Sequence, residues 1–115
     1  MKKDFSYTTT QGNHIPITLY GADKFGEQPC VIYVHGFKGF KDWGFVPYAG
    51  EFLEENGISL ITFNFSHNGI GENLQDFTEP QLFEHNTFTL ELEETLEIIH
   101  LAQLTNFFGK DLRSK

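Results

Sequence analysis

The residues best suited to chemistry lie between Cys30 and Asp42, in the run Cys-Val-Ile-Tyr-Val-His-Gly-Phe-Lys-Gly-Phe-Lys-Asp. A β-rich apolar segment, Cys30 to Val34, breaks into His35, Gly36 and Gly39, with Phe37, Lys38 and Lys41 interleaved. A buried strand that ends in a glycine turn brings backbone N–H groups to the rim of a sheet. Rim N–H groups stabilise negative charge, so the chemistry indicated is the holding of an anion or a developing oxyanion. A phosphate loop is excluded, because its glycines stand farther apart and its Lys is followed by Ser or Thr. Here Lys41 is followed by Asp42.

A second polar stretch, Ser66 to Pro80, contains His67, Asn68, Gly69, Gly71, Glu72 and Asp76. Structureless loops of this length are uncommon in compact domains and are often functional. His67, Glu72, Asp76 and His85 fit no helical or ribbon pattern of metal ligands, so the expectation is a solvated loop, with no metal and no cofactor. His14 and His100 read as a strand-face and a helix-surface residue; Phe40, Trp43 and Phe45 either line a pocket or, as is commoner for such aromatics, pack under the first loop.

The elements that position these loops follow from periodicity. Phe5 to Thr10 and His14 to Tyr20 flank Gln11-Gly12-Asn13, which predicts a β-hairpin whose second strand buries one face through Ile15, Ile17 and Leu19. Pro16 places its N–H side at an edge or bulge. Cys30 to Val34 is apolar throughout, as in a parallel strand covered on both faces. Pro47 marks a helix start, Tyr48, Phe52 and Leu53 its apolar spacing, and Gly57 its stop. Ile58 to Phe65 is a second β segment, which completes a parallel βαβ unit. Its loop leaves the sheet at the same rim as His35. Phe88 to Leu104 is a long helix, with Phe88, Leu92, Leu96 and Ile99 on its inner face, Ile98, Leu101 and Ala102 widening it, Glu91, Glu94 and Glu97 on the wet side, and Glu93 near the boundary. Asn106 to Lys115 reads as a polar exit loop. The chain contains no internal repeat.

Composition bounds the function. At 115 residues the chain suits one domain, residues 1–115, and its 13 phenylalanines belong to a folded core rather than a disordered segment. The net charge of −8 excludes a nucleic-acid face and an anionic membrane surface. Cys30 is the single cysteine, so no internal disulfide forms. The first residues lack the apolar core of a signal peptide, and no run approaches transmembrane length; the expectation is a cytoplasmic protein.

The strand followed by His35-Gly36-Phe37-Lys38-Gly39, then Asn64-Phe65-Ser66-His67-Asn68-Gly69-Ile70-Gly71, resembles the first half of α/β-hydrolases of the dienelactone-hydrolase and acyl-peptidase type. The resemblance runs from the hairpin to the long helix. It implies an α/β fold, the N-terminal half of the α/β-hydrolase fold, ending before the nucleophile-elbow strand. It implies sheet order 1-2-4-3-5 for the complete family fold. It also implies that the Phe37 N–H is one oxyanion donor, that His35 braces the loop, and that His67, Asn68, Gly69 and Gly71 wall a substrate cleft. No G-x-S-x-G occurs here, and the family order of Ser, acid, His leaves none of these histidines as triad base. No triad residue is therefore present.

Two functions follow. One is hydrolysis of a small-molecule ester or peptide through a serine acyl-enzyme, with these residues as its N-terminal portion. The other is a non-catalytic degenerate fragment that acts as a binding module. It would self-associate, or pair with a complementing C-terminal half, through the edge left at Cys30 to Val34.

Overall fold

The computed structural model describes residues 1–36, 39–68, 81, 86–105, 107 and 108. Among them the chain forms β1 (Lys3–Thr8), β2 (His14–Tyr20), β3 (Cys30–Val34), α1 (Val46–Glu55), β4 (Ser59–Phe63) and α2 (Phe88–Leu104). The strands make one mixed sheet in the order β1-β2-β4-β3. β1 and β2 form an antiparallel hairpin from Lys3↔Leu19 to Thr8↔His14. β2 then pairs antiparallel with β4, and β4 pairs parallel with β3 from Cys30↔Ser59 to Val34↔Phe63. The fold is α/β: an antiparallel hairpin, a parallel βαβ unit and a long helix.

Strand register sorts the side chains into two layers. Ile15, Ile17 and Leu19 of β2 and Ile61 and Phe63 of β4 share one face, where Ile98, Leu101 and Ala102 of α2 close the main core. The alternating residues Thr18, Tyr20, Leu60 and Thr62 are buried on the other face, which α1 covers. β2 therefore buries both faces rather than the single one its alternation suggests. The threonines tolerate this because their hydroxyls are satisfied: Thr18 Oγ1 donates to Asp4 Oδ1 at 2.7 Å, and Thr62 Oγ1 to the Thr18 carbonyl at 3.4 Å.

α1 starts at Val46, with Pro47 in its first turn, where a missing N–H costs nothing. Its inward stripe is Val46, Gly50 and Leu53, not Tyr48 and Phe52, which are 76% and 65% exposed. The reason is Gly50: a Cβ there would lie 2.6 Å from the Tyr20 ring, so the helix seats on Tyr20 only through a glycine. Trp43 and Phe45 are likewise exposed rather than packed under their loop.

Three further expectations are corrected. β3 is the outer strand, not a doubly covered one, and Val31 and Val34 are about half exposed. α2 turns Phe88, Leu92 and Leu96 outward and Glu94 inward, because Glu94 and Glu97 meet hydrogen-bond donors on the loop after β4 and on the hairpin. Phe107 and Phe108 pack against Phe5, Tyr7 and Phe25 instead of leading away. Pro16 lies on an inner strand, one residue beyond the last β2–β4 pair, Ile17↔Phe63. Its carbonyl accepts from the Asn64 N–H just past the end of β4, so its nitrogen faces the place where the β2–β4 ladder stops. Among the described residues no helix is long and apolar enough to cross a membrane.

Candidate functional site

Because β3 and β4 are parallel, the loops that follow them leave the same rim. The first opens with His35, which is buried. The Phe65 N–H donates to its Nε2 at 3.1 Å. Nε2 is therefore the unprotonated nitrogen, and Nδ1–H donates to the Gly36 carbonyl at 3.0 Å. The ring stands edge-on to Phe65, with centroids 4.7 Å apart. Burial pushes this imidazole below its ordinary value, opposed by the Gly36 bond and by Glu91. A neutral histidine in one tautomer thus joins the end of β3 to the chain beyond β4.

The turn after His35 closes through the Gly39 N–H, which donates to the Gly36 carbonyl at 2.8 Å. A Cβ on Gly39 would come within 3.0 Å of that carbonyl oxygen, so the closure is tight enough to favour glycine. Phe37 and Lys38, between these glycines, lie outside the described residues, as do Gly69, Gly71, Glu72, Asp76 and His85. Two more bonds tie the loops together. The Lys41 N–H donates to Asn64 Oδ1 at 2.6 Å, and Asn68 Nδ2 to the Gly39 carbonyl at 3.4 Å. The Lys41 ammonium is itself buried and pairs with Asp42 at 2.6 Å.

The second loop is fixed from below by Glu94, which is 1% exposed. The Ser66 N–H donates to Glu94 Oε1 at 2.9 Å, and the Ser66 hydroxyl donates to Oε2. His67 Nδ1 lies 2.7 Å from Ser66 Oγ. Burial raises the Glu94 carboxyl above its usual value, against the two Ser66 donors. Sequence periodicity misses Glu94, Asn64 and Lys41. The available signal was positional: Glu94 stands four residues before buried Ile98, and Asn64 interrupts an apolar run.

Among the described residues, the arrangement is a glycine turn braced by hydrogen bonds to the loop after β4. Among the described residues no three His, Cys, Asp or Glu side chains converge as metal ligands. Cys30 is half-buried and its thiol is pushed up to about 11 by desolvation, so it is not a thiolate nucleophile at neutral pH. Beside the rim, Val31, Val34, Phe45, Val46, Ala49 and Leu53 line an apolar groove of about 230 Å³ between β3 and α1.

No protein-family model matches the sequence, and no curated protein matches it. In structure the chain is similar to the α/β hydrolase GrgF from Penicillium sp. sh18, with a TM-score of 0.54 and 24% sequence identity. The match covers 87% of this chain and 32% of GrgF, so the chain spans about a third of that protein's length. The order β1-β2-β4-β3, the parallel βαβ unit and this likeness together show an α/β-hydrolase fold over part of its extent.

Proposed function

We propose that the chain is the oxyanion-loop portion of a serine hydrolase that cleaves ester or amide bonds, of the dienelactone-hydrolase and acyl-peptidase kind. One observation carries the reading. His35 pins a His-Gly-x-x-Gly turn, at the carboxyl end of a parallel strand, to the backbone after the neighbouring strand. A loop held at both of its ends is preorganised, which is what an oxyanion donor requires. In this reading the Phe37 N–H is one donor, and the N–H after a nucleophile carried by another segment is the second. The substrate is a small-molecule ester or a peptide. One oxyanion donor is worth about 10²–10³ in rate in a complete site. The test is turnover of an aryl ester by the complete gene product, compared with a variant lacking its G-x-S-x-G serine. Activity lost with that serine supports the reading, and activity retained without it overturns it.

Among the described residues no strand lies beside the outer edge of β3, which favours a second reading, a non-catalytic module. Cys30 to Val34 carries no charge and no proline, the usual protections of an edge strand. This reading predicts self-association, or pairing with a complementing C-terminal half, along β3. A monodisperse monomer by light scattering counts against it.

A further inference from the structure

We propose that this chain forms a two-fold dimer in which β3 pairs antiparallel with β3 of a second copy and the aromatic row of α1 packs against its counterpart. The inference rests on the association reading above and gives that reading one partner and one register. It starts from the backbone. The Ser59 N–H donates to the Pro29 carbonyl at 2.8 Å, so Pro29 turns its backbone toward β4. Backbone direction alternates along a strand. Val31 and Tyr33 therefore also face β4, while the N–H and C=O groups of Cys30, Ile32 and Val34 face away. Among the described residues no strand takes them up. Such a row is a template for pairing with another chain.

The row is self-complementary. A two-fold axis normal to the sheet at Ile32 sets Ile32 opposite Ile32 of the second copy, and Cys30 opposite its Val34. All three outward-facing residues then become hydrogen-bonded pairs, each exchanging an N–H and a C=O with its opposite number. Pro29 blocks nothing, because its nitrogen faces β4 rather than the free edge. No charge lies between Cys30 and Val34, so no like charges meet in this register although the chain carries −8.

The same axis keeps both copies of α1 on one face of the joined sheet, side by side. On one flank of α1, Glu54 accepts the Gly21 N–H just past β2 at 2.6 Å. On the other flank Phe45 lines the apolar groove beside β3, and Tyr48 and Phe52 continue its row at helical spacing. These three and Trp43 are all more than half exposed, and Val31 and Val34 nearly so. Given the size of aromatic side chains, they present about 600 Å² of apolar surface, the top of the range for the largest patch on a monomer. Two copies together bury about 1,200 Å² in this way, the lower bound for a specific, stable interface, before the strand backbone is counted. Glu51 and Glu55 are exposed and lie at the rim, where interface charges stay in water.

Sedimentation equilibrium of the full chain should show a dimer that tightens as salt is raised, because both copies are acidic. Phe52→Glu, at an exposed position, should weaken it about tenfold or more without unfolding the chain. Cross-linking reads the register. Val34→Cys puts the new thiol opposite the native Cys30 of the second copy, with Cα atoms ~5.5 Å apart, within disulfide reach. Oxygen with copper phenanthroline should therefore link Val34→Cys into a covalent dimer. It should not link wild type, or Val34→Cys combined with Cys30→Ser, because identical residues stand ~13 Å apart along the paired strands. A dimer in which Val34→Cys does not cross-link, or cross-links equally without Cys30, overturns this pairing and leaves the association reading standing. A monomeric wild-type chain overturns the proposal and counts against the association reading as well.

Discussion

Replacing Gly50 with alanine tests how α1 is seated over the rim. In a helix interior that change ordinarily stabilises by about 0.5–1 kcal/mol, because glycine loses more backbone entropy on folding. Here the added methyl would sit 2.6 Å from Tyr20 Cδ2 and 2.7 Å from Cδ1 and Cε1, over the face of the ring. Comfortable carbon–carbon contact needs ~3.5–4.0 Å, so the helix or ring must give by about 1 Å. Tyr20 is buried between the sheet and α1, so the ring has little room to give way. Overpacking of this kind costs about 1–3 kcal/mol, which set against the propensity gain leaves a net loss of about 0–2.5 kcal/mol, centred near ~1 kcal/mol. Urea denaturation of Gly50→Ala, with and without Tyr20→Leu, measures it. The loss should appear with tyrosine and vanish or reverse with leucine. Stabilisation by Gly50→Ala in the wild-type background, or an equal loss in both, would refute the reasoning.

Further consequences can be checked on the same chain. His35→Leu strands the buried Phe65 N–H and should cost about 1–3 kcal/mol by denaturant melt; a variant as stable as the parent contradicts the brace. The folded value of His35 is depressed, so its contribution is complete above the ordinary 6.5 and is lost as pH falls through the folded value. Wild type should therefore lose stability relative to His35→Gln over that interval, and parallel curves would show that His35 is not held neutral. Glu94 has the opposite sign: its folded value is raised, so its contribution is present below the ordinary 4.5 and lost as pH rises through the folded value. Glu94→Gln should gain on wild type as pH rises, which a stability-versus-pH series will show or deny. Val34→Lys, at the half-exposed end of β3, should change monomer stability by less than ~0.5 kcal/mol while reducing self-association in light scattering.

Most of the fold was legible because strands and helices leave periodic marks. Ile15, Ile17 and Leu19 alternate, and they do line one face of β2. Helix rotation was legible only in part: Ile98, Leu101 and Ala102 belong to the expected apolar face and do enter the core. Phe88, Leu92 and Leu96 make the stronger apolar stripe on α2, yet Leu96 is 56% exposed and Glu94 is buried. Side-chain polarity ranks faces only when the partner is apolar, and the partner here is a pair of donors from Ser66, more than twenty residues earlier in the chain. The same limit hid Gly50, which reads as a weak helix residue until Tyr20 is seen beneath it. At the site, the His35-Gly36 turn was readable as a motif. Its ties to Phe65, Asn64 and Asn68 were not, because they form between segments that only the β3–β4 pairing brings together.

The most direct test of the hydrolase reading is the nucleotide sequence that follows the Lys115 codon in the source DNA. The account predicts an apolar strand followed by G-x-S-x-G, and further on an acid and a histidine, in the same frame or in an adjoining one. A downstream region that encodes no such elbow in any frame would contradict it and leave the association module as the better description.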